Sequence, residues 1–235
     1  GRAFRPGNGT AAHPNSRFTV AATNNPSYSE LADAPEGVPI SALVFGGRRA
    51  RVAPLVFEAR DWKHGVLVGA SVGSELTAAA EGEVGKIRRD PMAMRPFCGY
   101  NFADYWAHWL SFEKRTDKLP RVFHINWFRQ DADGGFLWPG FGENLRVLRW
   151  IIDRCEGRVG AVESAIGYLP KVDGIDTRGL DIGPDVMRQL LTIDTARWRL
   201  ENEHFGAYLD EFGDRVPPAL RAEQQRLAKE LEKAS

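Results

Sequence analysis

The chain has 235 residues, 43% hydrophobic and 26% charged, and its 31 Lys plus Arg equal its 31 Asp plus Glu. That mixture suits a globular protein with core enough for one large domain or two small ones. Zero net charge excludes a global field that would recruit nucleic acid or a membrane surface, so any anion site has to be local. No apolar run approaches transmembrane length and the N-terminus lacks a signal-peptide pattern, so a soluble, cytoplasmic protein without nucleic-acid or membrane partners is expected. Cys98 and Cys155 are far apart and lack metal-type spacing. They fit reduced thiols, with a single disulfide as the other option.

Residues 1–14, GRAFRPGNGTAAHP, carry Gly, Pro and Arg without periodicity and read as a linker or arm. Asn15-Ser16-Arg17-Phe18 follows, then a polar loop to Gly37. The β-rich run Val38 to Phe45 closes on Gly46-Gly47-Arg48-Arg49. Guanidinium groups at a strand's end sit where α/β proteins bind ligands, although these residues alone slightly favour a hairpin turn with solvated arginines. Leu55 to Ala59 and Gly65 to Ala70 (GVLVGA) predict two more strands, the second buried. Ser71 to Lys86 is small, Ala-rich and Gly-flanked, which suits an exposed helix with a loop or a lid.

Asp90 to Phe102 reads as a packed connector and Ala103 to Glu113 as an amphipathic helix. Arg121 to Trp127 predicts a strand that alternates Val122, His124 and Asn126 with Phe123, Ile125 and Trp127. Leu145 to Cys155 has helical spacing, with Asn144 placed as its N-cap. Glu156 to Gly183 reads as Gly-rich loop with a short apolar patch at Ile166 to Leu169. The tail from Pro184 is helical: Pro184 sits at an N1-like position, Asp194 caps a second segment through Phe212, and Pro217-Pro218 opens a last one. The tail's charges read as a solvated face.

The stretch Asn126 to Trp150 stands apart. It packs Trp127, Phe128, Phe136, Trp138 and Phe141 around a DADGG turn. Aromatics this dense beside glycine form either a loop's own core or a slot for a flat ring, and density alone favours the core. Most generic motifs are absent from the sequence: there is no GxxxxGK[ST], HExxH or CxxC. What remains is a set of anion and ring binders. Arg17 and Arg48 are candidate phosphate or carboxylate forks. Phe128, Phe136 and Phe141 could sandwich a base, and the Asn144 amide could read a purine edge.

The strings HPNSRF (13–18), GVPISALVFGGRR (37–49), HGVLVGA (64–70), SELTAAAE (74–81), DPMAMRPFCGYNF (90–102) and FHINWFRQDADGGFLWPGFGEN (123–144) resemble GTP-dependent phosphoenolpyruvate carboxykinase. The likeness runs from about His13 to the C-terminus, weakens after Lys171, and corresponds to the C-terminal portion of that longer family. It implies an α/β fold: a mixed-sheet nucleotide-binding domain over residues 15–235, with a helical C-terminal tail over about 184–235. The implied reaction is oxaloacetate plus GTP to phosphoenolpyruvate, GDP and carbon dioxide, a step of gluconeogenesis, carried out by a monomer.

The resemblance also implies roles. Asn15, Ser16 and Arg17 would contact oxaloacetate or phosphoenolpyruvate, with Arg17 catalytic and reaching the transferred phosphate. Arg48 would bind nucleotide phosphate. Phe128, Phe136 and Phe141 would form the guanine slot within a loop over 126–144, with Gly142, Glu143 and Asn144 at the base. A lid would span about 74–85, including Ser74, Glu75, Thr77, Ala79 and Glu81. Manganese is the implied metal, with its Lys, His and Asp ligands expected outside this chain, as are the P-loop with its lysine and reactive cysteine and a further substrate arginine. Departures include Cys98 in place of a common aromatic, Gly73 in place of a common arginine, and Gly82-Glu83-Val84 in place of a basic segment. The isolated chain is therefore expected to be inactive. A guanine-nucleotide-binding module without chemistry is the alternative reading.

Overall fold

The computed structural model describes residues 5, 7, 9, 19–76 and 85–234. Ile40–Glu75 with Ile87–Ser235 make one compact unit, and Gly1–Pro39 with Leu76–Lys86 make another. In the smaller unit the described segment 19–39 holds two short 3-10 turns, Ala22–Asn24 and Glu30–Asp33. The Ser29 hydroxyl opens the second by accepting from Leu31 N–H. Separately, Leu76 and Gly85–Lys86 close on each other through Leu76 N–H to Lys86 O and Gly85 N–H to Leu76 O, both 2.9 Å.

In chain order the larger unit contains β1 (Ala42–Gly46), β2 (Val56–Glu58), α1 (Trp62–Ala70), β3 (Gly73–Glu75), β4 (Ile87–Arg89), α2 (Phe102–Ser111) and β5 (Arg121–Ile125). It continues with α3 (Asn144–Cys155), β6 (Val162–Ser164), β7 (Gly167–Leu169), α4 (Pro184–Leu191), α5 (Thr195–Asp210) and α6 (Pro218–Lys233). Five strands make a mixed sheet ordered β1-β5-β2-β7-β6, and β3 pairs with β4 in a separate ribbon. Only β1 and β5 run parallel, in a register that sets Gly46 beside Ile125. The carboxyl ends of two strands therefore open side by side.

The alternation expected along β5 holds. Val122 and Phe57 belong to a core cluster with Val68 and Leu231, while Phe123 and Val56 belong to one with Trp138, Val147, Trp150 and Leu190. The sheet thus lies between α1 and α6 on one face and α3 and α4 on the other, the usual way an α/β sheet covers both faces. A third cluster around Trp106, Phe205 and Leu209 holds α2 and α5 to α1. Glu58, on central β2, is 4% exposed and accepts from Arg121 at 2.8 Å and Arg154 at 2.7 Å, which pairs its charge on both sides.

Four expectations need correction. GVLVGA is helix, the core of α1. The Asp61 side chain caps it by accepting from His64 N–H, and the whole stretch His64 to Ala70 is buried, so no polar face marks the helical period. Gly65 and Gly69 let that helix lie close. A Cβ at Gly65 would fall 2.5 Å from Val122 Cγ2, and one at Gly69 2.3 Å from Met92 Sδ. The loop expected over Glu156 to Gly183 contains the β6–β7 hairpin, which extends the sheet through Glu58 and Tyr168. Asn144 is not the N-cap of α3. It is the first helical residue, at φ −60° and ψ −29°, and its side chain is engaged elsewhere. The first strand also starts later than expected, at Ala42.

The tail helices begin where expected. Pro184 and Pro218 lie in first turns, and Asp194 caps α5 by accepting from Arg197 N–H. Their charges are more than a solvated face. Glu201 on α5 forms a two-oxygen ion pair with Arg49, and its carboxylate also contacts Arg89 at 3.4 Å. Both cysteines are free thiols, and burial pushes Cys155 upward in pKa.

Two buried histidines make stability depend on pH. Burial, reinforced by Arg60 and Arg226, lowers His64 to about 3, and burial with Arg49 lowers His124 to about 3. Each is neutral in the fold, and His64 Nδ1 accepts from Arg60 N–H, which protonation would forbid. The unfolded chain takes up a proton at each below the ordinary value of 6.5 while the fold does not. Stability is therefore undiminished above about pH 6.5 and falls below it by about 1.4 kcal/mol per pH unit per histidine. Urea unfolding between pH 7 and 5 is expected to show this slope, and His124→Gln is expected to flatten it by about one proton.

Candidate functional site

The parallel pair β1–β5 delivers two loops to one place, Gly47 to Ala50 and Asn126 to Phe128. Asn126 joins them and is 1% exposed. Its Oδ1 accepts from Arg49 N–H and Phe128 N–H, both 3.2 Å, while its Nδ2 donates to Arg49 O at 2.8 Å and Ala53 O at 2.9 Å. Four hydrogen bonds from one buried amide use its full capacity and hold the two backbones in register. By sequence Asn126 reads only as one position in an alternating strand. An Asn at the carboxyl end of a buried strand was the available signal.

Between those loops lies an open cleft of about 350 Å³ lined by Gly46, Gly47, Arg48, Ser74, Ile125, Trp127 and Phe128. It opens at the strand ends where α/β sheets hold ligands. The Arg48 guanidinium sits 4.6 Å over the Phe128 ring, and Phe128 meets Phe136 edge-on with ring centroids 6.0 Å apart. Cation, ring and ring thus follow one another from the cleft lining at Arg48 and Phe128 out to Phe136. The Phe136 side is held by a tight hairpin: Asp131 Oδ1 accepts from Asp133 N–H and Gly135 N–H, and Leu137 N–H returns to Arg129 O. Arg129 anchors this hairpin from below by donating to Leu190 O and Thr192 O.

The aromatic stretch divides by exposure. Trp138 is 1% exposed and belongs to the core, whereas Phe136 is 60% and Phe141 98% exposed. The structure brings Arg48, Phe128 and Phe136 together and leaves Phe141 standing in solvent, with no ring partner among the described residues. Gly140, at φ +77°, turns the chain from Trp138 into the Phe141–Glu143 3-10 turn that leads into α3. Glu143 is ion-paired to Arg146, which also donates to Asp176 O. Asn144 Oδ1 accepts from the Trp138 indole at 2.9 Å.

On the other side of the cleft, β3 leans against the Arg48 loop. Arg48 N–H donates to Ser74 Oγ at 3.0 Å, Glu75 N–H to Arg48 O at 2.8 Å, and Ala50 N–H to Glu75 Oε1 at 2.9 Å. Ser74 and Glu75, two of the expected lid residues, are therefore tied to the Arg48 loop. Thr77, Ala79 and Glu81 lie outside the described residues, as do Asn15, Ser16 and Arg17. Among the described residues no three His, Cys, Asp or Glu side chains gather as a ligand set for a metal. Among the described residues, too, no helix is long and apolar enough to cross a membrane.

A mixed sheet covered on both faces, with its parallel pair ending in a cleft lined by Arg48 and Phe128, defines an α/β domain, a class in which ligands bind at strand ends. Residues 1–230 match the profile of the GTP-type family described as phosphoenolpyruvate carboxykinase C-terminal P-loop domain, and the chain belongs to that family. It is 48% identical over 232 residues to phosphoenolpyruvate carboxykinase [GTP] of Chlamydia muridarum, covering 98% of this chain and 39% of that protein. It is 53% identical over 226 residues to the protein so named from Neocallimastix frontalis, covering 95% of this chain and 37% of the relative. With the Anaeromyxobacter dehalogenans protein of that name the identity is 48% over 224 residues, covering 95% and 38%. The chain thus spans well under half the length of these relatives.

Proposed function

We propose that the full-length protein containing this chain is a GTP-dependent phosphoenolpyruvate carboxykinase, turning oxaloacetate and GTP into phosphoenolpyruvate, GDP and carbon dioxide. In this reading residues 15–235 serve as its nucleotide-binding region. Phe128, Phe136 and Phe141 hold the guanine, and Asn144 with the backbone at Gly142 and Glu143 reads it. Arg48 takes a nucleotide phosphate, and Asn15, Ser16 and Arg17 hold the organic acid. Residues 74–85 act as a lid.

The observation that carries this reading is the Arg48–Phe128–Phe136 wall at the ends of β1 and β5. It sets a guanidinium fork beside aromatic surface, the two kinds of group that a nucleotide's phosphates and base use. The chemistry asks for these groups. Decarboxylation leaves an enolate, and phosphoryl transfer to its oxygen spreads negative charge that fixed guanidinium groups stabilise. A closing lid keeps water from protonating the enolate.

The test is steady-state kinetics of the full-length protein in the direction of phosphoenolpyruvate formation. Phe136→Ala removes an exposed stacking face worth roughly 1–3 kcal/mol. It is expected to raise KM for GTP roughly 5- to 150-fold with little change in kcat. A wild-type protein that binds GTP but never consumes oxaloacetate would point to a non-catalytic nucleotide-binding module.

A further inference from the structure

We infer that Trp138 is a specificity-positioning residue: its indole N–H fixes which end of the Asn144 amide faces the base, and so makes the slot select a 6-oxopurine over a 6-aminopurine. This rests on the reading that Asn144 lies at the base, and it adds what decides the amide's orientation. A side-chain amide has a donating end and an accepting end of nearly equal size, and neither shape nor packing alone distinguishes them. An indole N–H can only donate. Trp138 Nε1 lies 2.9 Å from Asn144 Oδ1, so the carbonyl end is turned to the protein. The amino end remains, and Asn144 Nδ2 has no acceptor among the described residues.

The indole itself cannot swing away. Trp138 is 1% exposed within the cluster of Val147, Trp150 and Leu190, one layer below the sheet. Asn144 is held as the first residue of α3, in helical backbone geometry, and so has little freedom to move off. The rigid donor and the rigid amide together leave one unpaired group, the Asn144 Nδ2 N–H. A base offering a carbonyl oxygen at its six position accepts from it. A base offering an amino group there meets donor against donor and leaves both unpaired, which costs more than the missing bond alone. The exposed aromatic faces, by contrast, stack any flat base and supply affinity without choice.

The contact and the selectivity are tested together. In the chain labelled with 15N at tryptophan, the Trp138 indole proton is expected to resonate downfield and exchange slowly, and both features are expected to be lost in Asn144→Ala. An unchanged indole signal in Asn144→Ala would overturn the inference. In the full-length protein, Trp138→Phe keeps an aromatic core residue, deletes the N–H and lets the amide turn over. The preference for GDP over ADP and for IDP over ADP is expected to fall about tenfold in each case, because both favoured bases present the same six-position oxygen. Equal weakening of all three nucleotides would mean that Trp138 is only structural, and loss confined to GDP would mean that the exocyclic amino group is what is read. Either result overturns the inference.

Asn144→Asp provides the check if Trp138→Phe fails to fold. Its carboxylate still accepts from the indole but offers no donor, so GDP and IDP are expected to weaken about tenfold or more while ADP does not. If Phe136→Ala and Asn144→Asp leave binding of all three unchanged, the base site itself is elsewhere. That outcome refutes the underlying reading, whereas an altered Asn144→Asp with an unaltered Trp138→Phe refutes only the role of the indole.

Discussion

Glu201→Ala is expected to destabilise the fold by about 3–5 kcal/mol, read as the fall in urea midpoint of the chain at neutral pH. The Glu201 and Arg49 side chains are 12% and 8% exposed, so little water replaces a lost partner. Arg49 donates to both Glu201 oxygens, and Arg89 lies 3.4 Å from one of them. Burial already lowers the Arg89 pKa, with Glu201 as the main opposing influence. Removing the carboxylate leaves two guanidinium groups facing each other in a poorly solvated place, and that uncompensated charge, more than the lost attraction, is what costs stability. Asp185→Ala, which breaks the exposed Arg188–Asp185 pair on α4, is the matched control and is expected to leave the midpoint almost unmoved. Equal midpoints for the two variants would mean that the Glu201 cluster is hydrated and contributes little.

The effect should reach the cleft as well as the stability. Arg49 follows Arg48 directly, and its backbone is clamped at N–H and C=O by Asn126. Arg89 lies on β4, the partner of β3. Glu201 therefore ties the tail helix α5 to both sides of the cleft, and a Glu201 variant is expected to weaken nucleotide binding although it lies outside the base slot.

Gly47→Ala is expected to be as damaging, through sterics. A Cβ there would lie 2.4 Å from Gly73 O and 3.2 Å from Gly73 C. Those are backbone atoms of β3, so no flexible side chain can yield, and the two segments must part. Three hydrogen bonds cross that seam, from Arg48 N–H, Glu75 N–H and Ala50 N–H. At about 1 kcal/mol each, their loss amounts to roughly 3 kcal/mol. Arg48 would also lose the backbone contacts that hold its guanidinium over Phe128. Urea unfolding together with nucleotide titration is expected to show both losses. The position separates them from a generic glycine effect, because Gly142→Ala, where a Cβ would meet nothing within 4 Å, should preserve the midpoint.

Much of this arrangement is legible in the sequence where local chemistry alone decides. Pro184, Asp194 and Pro218 announce their helices because capping depends on one or two neighbouring residues. The β5 alternation shows because each face of that strand meets a different core. Helix α1 is illegible for the opposite reason: buried all round, it has no polar face, and its two glycines serve close packing against Val122 and Met92. Arg48, Phe128 and Phe136 stand out by residue type and do converge. The residues that aim them do not stand out, since Asn126 acts on a loop 77 positions away and Glu201 on an arginine 152 positions away. Asn144 looks like a helix cap by sequence, but its carbonyl oxygen is taken by an indole that no local pattern pairs with it.

The most direct test is a titration of the full-length protein with GDP and ADP, followed by the fluorescence of Trp127, which lines the cleft beside Arg48 and Phe128. If Phe128, Phe136 and the Asn144 amino group form the proposed slot, quenching with GDP is expected at least tenfold more tightly than with ADP. Phe136→Ala is expected to weaken both nucleotides, and Asn144→Asp to erase the difference. Equal affinity for GDP and ADP in the wild type, or a GDP preference indifferent to Phe136 and Asn144, would contradict a guanine site on this stretch.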